Sequence, residues 1–214
     1  MRIGSVFKAA LLGLPLAALS ACGDSSKDFT TRGLVAPSSI CTVDPRVLGD
    51  ARRLSEIDEG NGCEVPKPFE MRSIANVQFS QPAIVNCGMA EPLNDWMTHR
   101  VQPAAQTTFG ESVVSVDIAA SYSCRARNSK RGARMSEHGF GNAIDIAAFT
   151  LESGRKVTVE DGWRDSSGER NFLREVRSDA CGDFHTVLGP GDAHHDDHFH
   201  LDLANRPSGK LYCK

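Results

Sequence analysis

The sequence predicts an α+β domain built on a small antiparallel sheet with flanking helices, and three patterns carry that expectation. Val114, Val116 and Ile118 alternate with Ser115 and Asp117, the period of a half-buried strand. Leu93, Trp96, Met97 and Val101 recur at helical spacing. Near the C-terminus Phe199, Leu201 and Leu203 alternate with His198, His200 and Asp202. In chain order the elements read α, β, β, β, α, β, which suits an antiparallel sheet with helices on one side.

Ahead of these elements, residues 1–21 read as an export signal. Arg2 and Lys8 supply positive charge, and residues 9–18 form an apolar run too short to span a bilayer permanently. Leu19-Ser20-Ala21-Cys22 resembles a lipobox, which makes Cys22 the expected lipid-bearing mature N-terminus. Residues 22–40 are mostly polar and small, as a flexible tether requires, and residues 41–214 make one domain. The region around Asn61-Gly62-Cys63 and Pro66 to Pro68 reads as loop.

A helix is expected over residues 91–106, with Pro92 in its first turn and Pro103 as its stop. The strand over 112–120 then delivers Ser121-Tyr122-Ser123-Cys124-Arg125. Residues 128–135 are basic and Gly-containing, a loop. A second strand over 142–149 turns at Ser153-Gly154 into a third strand running to Val159, forming a hairpin. Phe172, Leu173 and Val176 mark one face of a helix over 167–181. Turn residues over 189–193 precede the last strand, over 198–203.

Composition bounds the function. The 214 residues carry 24 Lys and Arg against 27 Asp and Glu, a net charge of -3, so there is no basic field for nucleic acid. Cys22 aside, six cysteines remain: Cys41, Cys63, Cys87, Cys124, Cys181 and Cys213. An even number in an exported chain implies disulfides. Pairing sequence neighbours gives 41 with 63, 87 with 124 and 181 with 213. None lies at the close C-x2-4-C spacing that a zinc-thiolate site favours.

The chemistry concentrates in two segments, Ser136 to Asp145 and His194 to Asp202, which hold five of the seven histidines. On the last strand His198, His200 and Asp202 share one face. Asp145 alternates with Ile144 and Ile146, so its carboxylate leaves the apolar face and can meet His138 after the turn at Gly139 to Gly141. One His, one Asp and one later His thus converge, the nitrogen and oxygen donor set of an open zinc site. Asp202 is placed to orient His200 or His198 through a ring N–H. Ser136 is a candidate hydrogen-bonding partner and Glu137 is expected to face solvent. Trp96 and Trp163 read as packing residues.

The motif Ser-x-His-x-x-Gly-x-Ala-x-Asp, met here from Ser136 to Asp145, together with the distal His-x-His resembles the LAS metallopeptidases, the group of lysostaphin, D-Ala-D-Ala carboxypeptidases and sonic hedgehog. Val101 to Ala105, Ser121 to Arg125, Ser136 to Ile146, Thr186 to Gly191 and Asp197 to Leu203 resemble more closely the bacterial family called extensin-like C-terminal. The resemblance implies one Zn2+ held by His138, Asp145 and His200. It implies a general base at Asp197, or at His195 or His198 as in the murein endopeptidase branch. It also implies a charge-stabilising Arg125, for which Arg127 is an alternative.

The implied activity is that of a periplasm-facing lipoprotein hydrolase, a zinc peptidase cutting an amide next to a D-amino acid in peptidoglycan. A D,D-endopeptidase acting on D-Ala-diaminopimelate cross-links fits first. A D,D-carboxypeptidase and a non-catalytic zinc lipoprotein that binds stem peptides are the alternatives. A monomer is expected.

Overall fold

The two periods resolve into eleven strands and four α-helices in a computed structural model that describes residue 44 and residues 48–165 and 168–214. The export signal, Cys22, the tether and Cys41 lie outside the described residues.

Strands β1 (Ala51–Arg53), β4 (Pro68–Ile74), β5 (Val77–Asn86), β6 (Val113–Ala120), β7 (Ala143–Leu151), β10 (Phe199–Asp202), β9 (Thr186–Leu188) and β11 (Tyr212–Cys213) lie side by side in that order. With β8 (Lys156–Thr158) paired to β7 they make a nine-stranded sheet. β2 (Ile57–Asp58) and β3 (Glu64–Val65) form a separate ribbon. The α+β class holds, but the sheet is larger than expected and is mixed. β5 runs parallel to β6, and β11 parallel to β9. A parallel neighbour needs a crossover, and the helical segment between β5 and β6 supplies it.

That segment is α1 (Cys87–Trp96), a π-helical turn (Met97–Val101) and α2 (Gln102–Phe109) in succession. It starts earlier than the apolar spacing suggests because Asn86 caps it, its side chain accepting from the Met89 N–H at 3.1 Å. Pro103 does not stop it. Pro103 sits in the first turn after the wide π segment, where its missing N–H is tolerated. The helix ends instead at Gly110, in left-handed conformation at φ 72°. The remaining helices are α3 (Val159–Gly162) and α4 (Gly168–Ala180).

Helices and sheet meet in an aromatic core. Trp96 approaches Phe149 and Phe184 edge-on, and Phe149 packs perpendicular to Phe172 at 5.3 Å. The buried Trp96 indole N–H donates to the Val176 carbonyl at 2.9 Å, which ties α1 to α4. Trp163 packs against Phe199.

A bulge lets β7 face this core along its whole length. Asp117 pairs with Ala148 but Ile118 pairs with Ile146, so Ala147 is an extra residue on β7. The parity changes there. Ile144 and Ile146 on one side of the insertion, and Phe149 and Leu151 on the other, all join the same apolar cluster. Asp145 is thereby left on the opposite face.

The hairpin of β4 and β5, turning through Ala75 and Asn76 at φ 49° and 65°, was not expected. Phe69 and Met71 alternate with Glu70 and Arg72, which is a legible strand signal. The long β5 is disguised by Pro82.

Two of the expected disulfides are corrected. Cys63 bonds Cys124, so it pairs with neither Cys41 nor a local partner, and Cys87 is disulfide-bonded elsewhere than to Cys124. Spatial neighbours in the fold outrank sequence neighbours, since bridge geometry needs Cα atoms within about 7 Å. Cys181–Cys213 forms as expected and fixes the C-terminal strand against β9.

Asn86 is the junction of this architecture. Besides capping α1, its amide donates to the Phe140 carbonyl at 3.2 Å and to Asn142 Oδ1 at 3.1 Å, and its backbone N–H donates to the Gly141 carbonyl at 2.6 Å. Asn86→Ala removes the cap and leaves buried acceptors unpaired, so it should lower unfolding free energy by about 2–4 kcal/mol in a denaturant titration.

Candidate metal centre

Three chain segments bring His138, Asp145 and His200 together. Asp145 and His200 are direct cross-strand partners on the antiparallel pair β7 and β10. His138 comes from a 3-10 turn, Glu137–Phe140, which closes at Gly141 in left-handed conformation at φ 58°. A Cβ at Gly141 would lie 2.8 Å from the Asn86 backbone nitrogen, so only glycine lets this turn dock on β5. All three side chains are buried.

Their orientation is set from outside the cluster. His138 Nδ1 lies 2.6 Å from the Ser121 carbonyl and must donate to it, which leaves Nε2 as a lone pair in the neutral ring. His200 Nε2 lies 2.9 Å from Asp202 Oδ2 and donates to that carboxylate, which leaves Nδ1 as the inward atom. Those two inward nitrogens are 3.2 Å apart. Asp145 completes the set, its Oδ1 2.8 Å from His200 Nδ1 and its Oδ2 3.2 Å from His138 Nε2.

Three electron-pair donors facing one another in a buried site need a positive charge between them. Ligand bonds of about 2.0–2.1 Å in tetrahedral array put neighbouring donors roughly 3.3 Å apart, close to the separations found. The residues therefore fit a metal ion, with one ligand atom from each. In the metal-free protein a proton takes that place. Burial disfavours the charged His200 ring, but hydrogen bonds to Asp145 and Asp202 outweigh it and raise its pKa to about 9. For Asp145 burial pushes the other way, but its contact with the His138 ring and the hydrogen bond from protonated His200 hold its carboxyl well below the usual carboxylate range.

The triad opens into a pocket of about 600 Å³, lined among others by Arg125, Ser136, His195, His198, Arg206 and Tyr212. His198 Nε2 lies 3.8 Å from Asp145 Oδ2, and its Nδ1 is 2.7 Å from Asp197 Oδ1. His195 Nδ1 donates to Asp192 and to the Ala193 carbonyl, both at 3.0 Å. Its pKa is lowered by burial first, then by the nearby His200 and His198 rings. Each ring thus holds its Nδ1 proton outward and presents Nε2 as an acceptor. Asp197 is not among the lining residues. Its carboxylate is 67 % exposed and engages His198 instead, because the regular strand begins only at Phe199.

Arg125 is half-buried on the pocket wall and has no ion pair or hydrogen bond from its guanidinium among the described residues. Arg127 also lines the pocket but is paired with Glu137 at 3.2 Å. Glu137 does not simply face solvent as expected. It links Arg127 to the Asn142 amide, which donates to it at 2.8 Å.

Four contributors were missed in the sequence. Ser121 acts through its carbonyl oxygen, which no residue type signals. Arg206 reaches the pocket held by the His185 carbonyl at 3.1 Å and Thr186 Oγ1 at 2.6 Å, and Tyr212 through the tail that Cys181–Cys213 staples. Asp192 had a signal, three residues before His195, in a segment read only as turn.

The family model described as extensin-like protein C-terminus matches residues 41–214. No curated protein and no solved structure matches the chain.

Titration of metal-free protein with Zn2+ should show one site, abolished by His138→Ala, Asp145→Ala or His200→Ala. Asp202→Asn, which spares all three ligands, should weaken it about 10–100-fold. Below the His200 pKa of about 9 the ion must displace a proton. Calorimetry in buffers of different ionisation enthalpy should find about one proton released per ion at pH 7 and progressively less above pH 9.

Proposed function

The chain belongs to the extensin-like protein C-terminus family, and on that premise we propose that it is a zinc-dependent peptidoglycan peptidase. Its preferred bond is an amide beside a D-amino acid, first among them the D-Ala-diaminopimelate cross-link. The observation that carries this reading is the buried His138, Asp145 and His200 set opening onto a pocket with two further oriented histidines. The motif resemblance to the LAS metallopeptidases supports it, as does the donor set itself, mixed nitrogen and oxygen with no thiolate.

When bound, Zn2+ supplies Lewis acidity toward a carbonyl oxygen and brings the pKa of water down to about 7. The protein's own residues do the rest. His138 and His200 are locked in the ligand tautomer by Ser121 and Asp202. His198 is the general base in this reading: Asp197 holds its Nδ1 proton, so Nε2 can take a proton in the pocket and return it to the leaving amine. His195 is oriented in the same way by Asp192 and stands beside it, the two ring centroids 5.2 Å apart. Asp197 acts through His198. Arg125, with no internal partner, is suited to stabilise oxyanion charge or to grip a substrate carboxylate.

The lipobox-like Leu19-Ser20-Ala21-Cys22 supports a cell-envelope address in this reading, with the lipid on Cys22 holding the domain beside the wall. A non-catalytic peptide-binding role would be favoured by a pocket without an oriented base, and His198 argues against that.

Mass spectrometry of cross-linked muropeptides incubated with zinc-loaded protein should show dimers converted to monomers. Chelation and His138→Ala should both stop it, and His198→Ala should reduce kcat by about 100-fold or more. Asp197→Ala should cost less than loss of His198. Absence of cleavage by zinc-loaded wild type would sink the peptidase reading.

A further inference from the structure

The loop that leaves the pocket beside Arg125 is a built element rather than a slack connection. Ala126 and Met135 form a β-bridge, the Ser136 N–H donates to the Arg125 carbonyl at 3.0 Å, and the Arg127 N–H donates to the Arg134 carbonyl at 2.9 Å. At its tip Ser129, Lys130 and Ala133 donate back to carbonyls three residues earlier. Asn128 and Ser129 are held at φ 53°, a left-handed conformation that costs energy in non-glycine residues. The Cys63–Cys124 disulfide clamps its base. The result is a finger with a fixed course.

Its charge is unusual for this chain. Arg125, Arg127, Lys130, Arg131 and Arg134 stand on it, against Glu137 at its base, in a protein of net charge -3. Only Arg127 has an ion-pair partner; Arg125, Lys130, Arg131 and Arg134 have none among the described residues. Lys130, Arg131 and Arg134 are exposed. Unpaired like charges gathered on a rigid loop repel one another, a cost that an anionic ligand removes. Arg125, Arg127 and Asn128 also line the metal pocket, so the pocket and the finger form one continuous surface. A ligand that fills the pocket and extends outward meets the finger.

We infer that the finger, through Lys130, Arg131 and Arg134, is a carboxylate-binding subsite for the acidic part of the peptide whose amide lies at the metal. This rests on the peptidase reading for the identity of the ligand, but not for the existence of the subsite. Spread carboxylates at several points of a stem peptide match spread cations better than a single charge would, and a preorganised loop binds them without an ordering penalty.

The test uses the full zinc-loaded chain carrying His198→Ala, so that ligand persists, and a fluorescently labelled cross-linked muropeptide followed by anisotropy at low salt. Adding Arg131→Glu and Arg134→Glu should weaken binding about tenfold and flatten its salt dependence. A muropeptide with its carboxylates converted to carboxamides should bind about tenfold more weakly to the parent and be indifferent to the charge reversal. If the reversed chain fails to take up one Zn2+, Arg131→Gln with Arg134→Gln replaces it, with the same pattern at smaller size. Unchanged affinity, or equal weakening for the amidated ligand, overturns the subsite. So does a charge effect seen only with anionic phospholipid vesicles. Wild-type protein that fails to cleave while binding keeps its charge dependence overturns the peptidase reading and leaves the subsite standing.

Discussion

Electrostatic repulsion among three inward-facing donors is the constraint around which the rest of this fold is organised. His138 Nε2, His200 Nδ1 and the Asp145 carboxylate sit within hydrogen-bond distance of one another, an arrangement that would fly apart in a flexible protein without a cation. It persists because each donor is held by a different kind of restraint. Asp145 and His200 are fixed by strand register, His138 by a glycine-closed turn docked on β5, and the ring tautomers by Ser121 and Asp202. Backbone rigidity substitutes for the ion in keeping the site formed, and the proton on His200 substitutes for its charge.

The same logic extends outward. His195 and His198 are each turned by an aspartate that is itself closer to solvent, so both rings present imidazole acceptors to the pocket. A region so rich in carboxylates could have collapsed onto its own histidines. Instead, among the described residues, Asp145 is the carboxylate that meets both inward ring nitrogens, while Asp202 holds the far side of the His200 ring.

Much of this was legible in the sequence, and the reasons differ by residue. His138, Asp145 and His200 could be found because strand alternation and one turn suffice to bring them to a common side. Asp202 followed from the same period. Asp197 could not be placed by alternation, since the answer depended on where the strand starts, and that is decided by packing of Phe199. The carbonyl of Ser121 was invisible because a backbone atom carries no residue signature. The β4 and β5 hairpin was readable but overlooked, its alternation broken by Pro82, and with it went one of the two parallel pairings that make the sheet mixed. Cys181–Cys213 was legible, but the other two expected disulfides failed for a related reason: Cys63 meets Cys124 across a separation of 61 residues, a contact that only the assembled fold defines.

The insertion of Ala147 into β7 has a consequence for how relatives of this chain are compared. Residues before and after it point inward on opposite parities, so the strand has no single rule for inside and outside. An alignment gap moved by one position across Ala147 would exchange Asp145 for an isoleucine on paper and erase the candidate metal ligand from view. In the molecule, loss of that one alanine would pit the two halves of the strand against each other, with either the isoleucines or the phenylalanine forced toward the pocket. A small, chemically inert residue is thus the frame marker that keeps the reactive face and the greasy face of the strand from trading places.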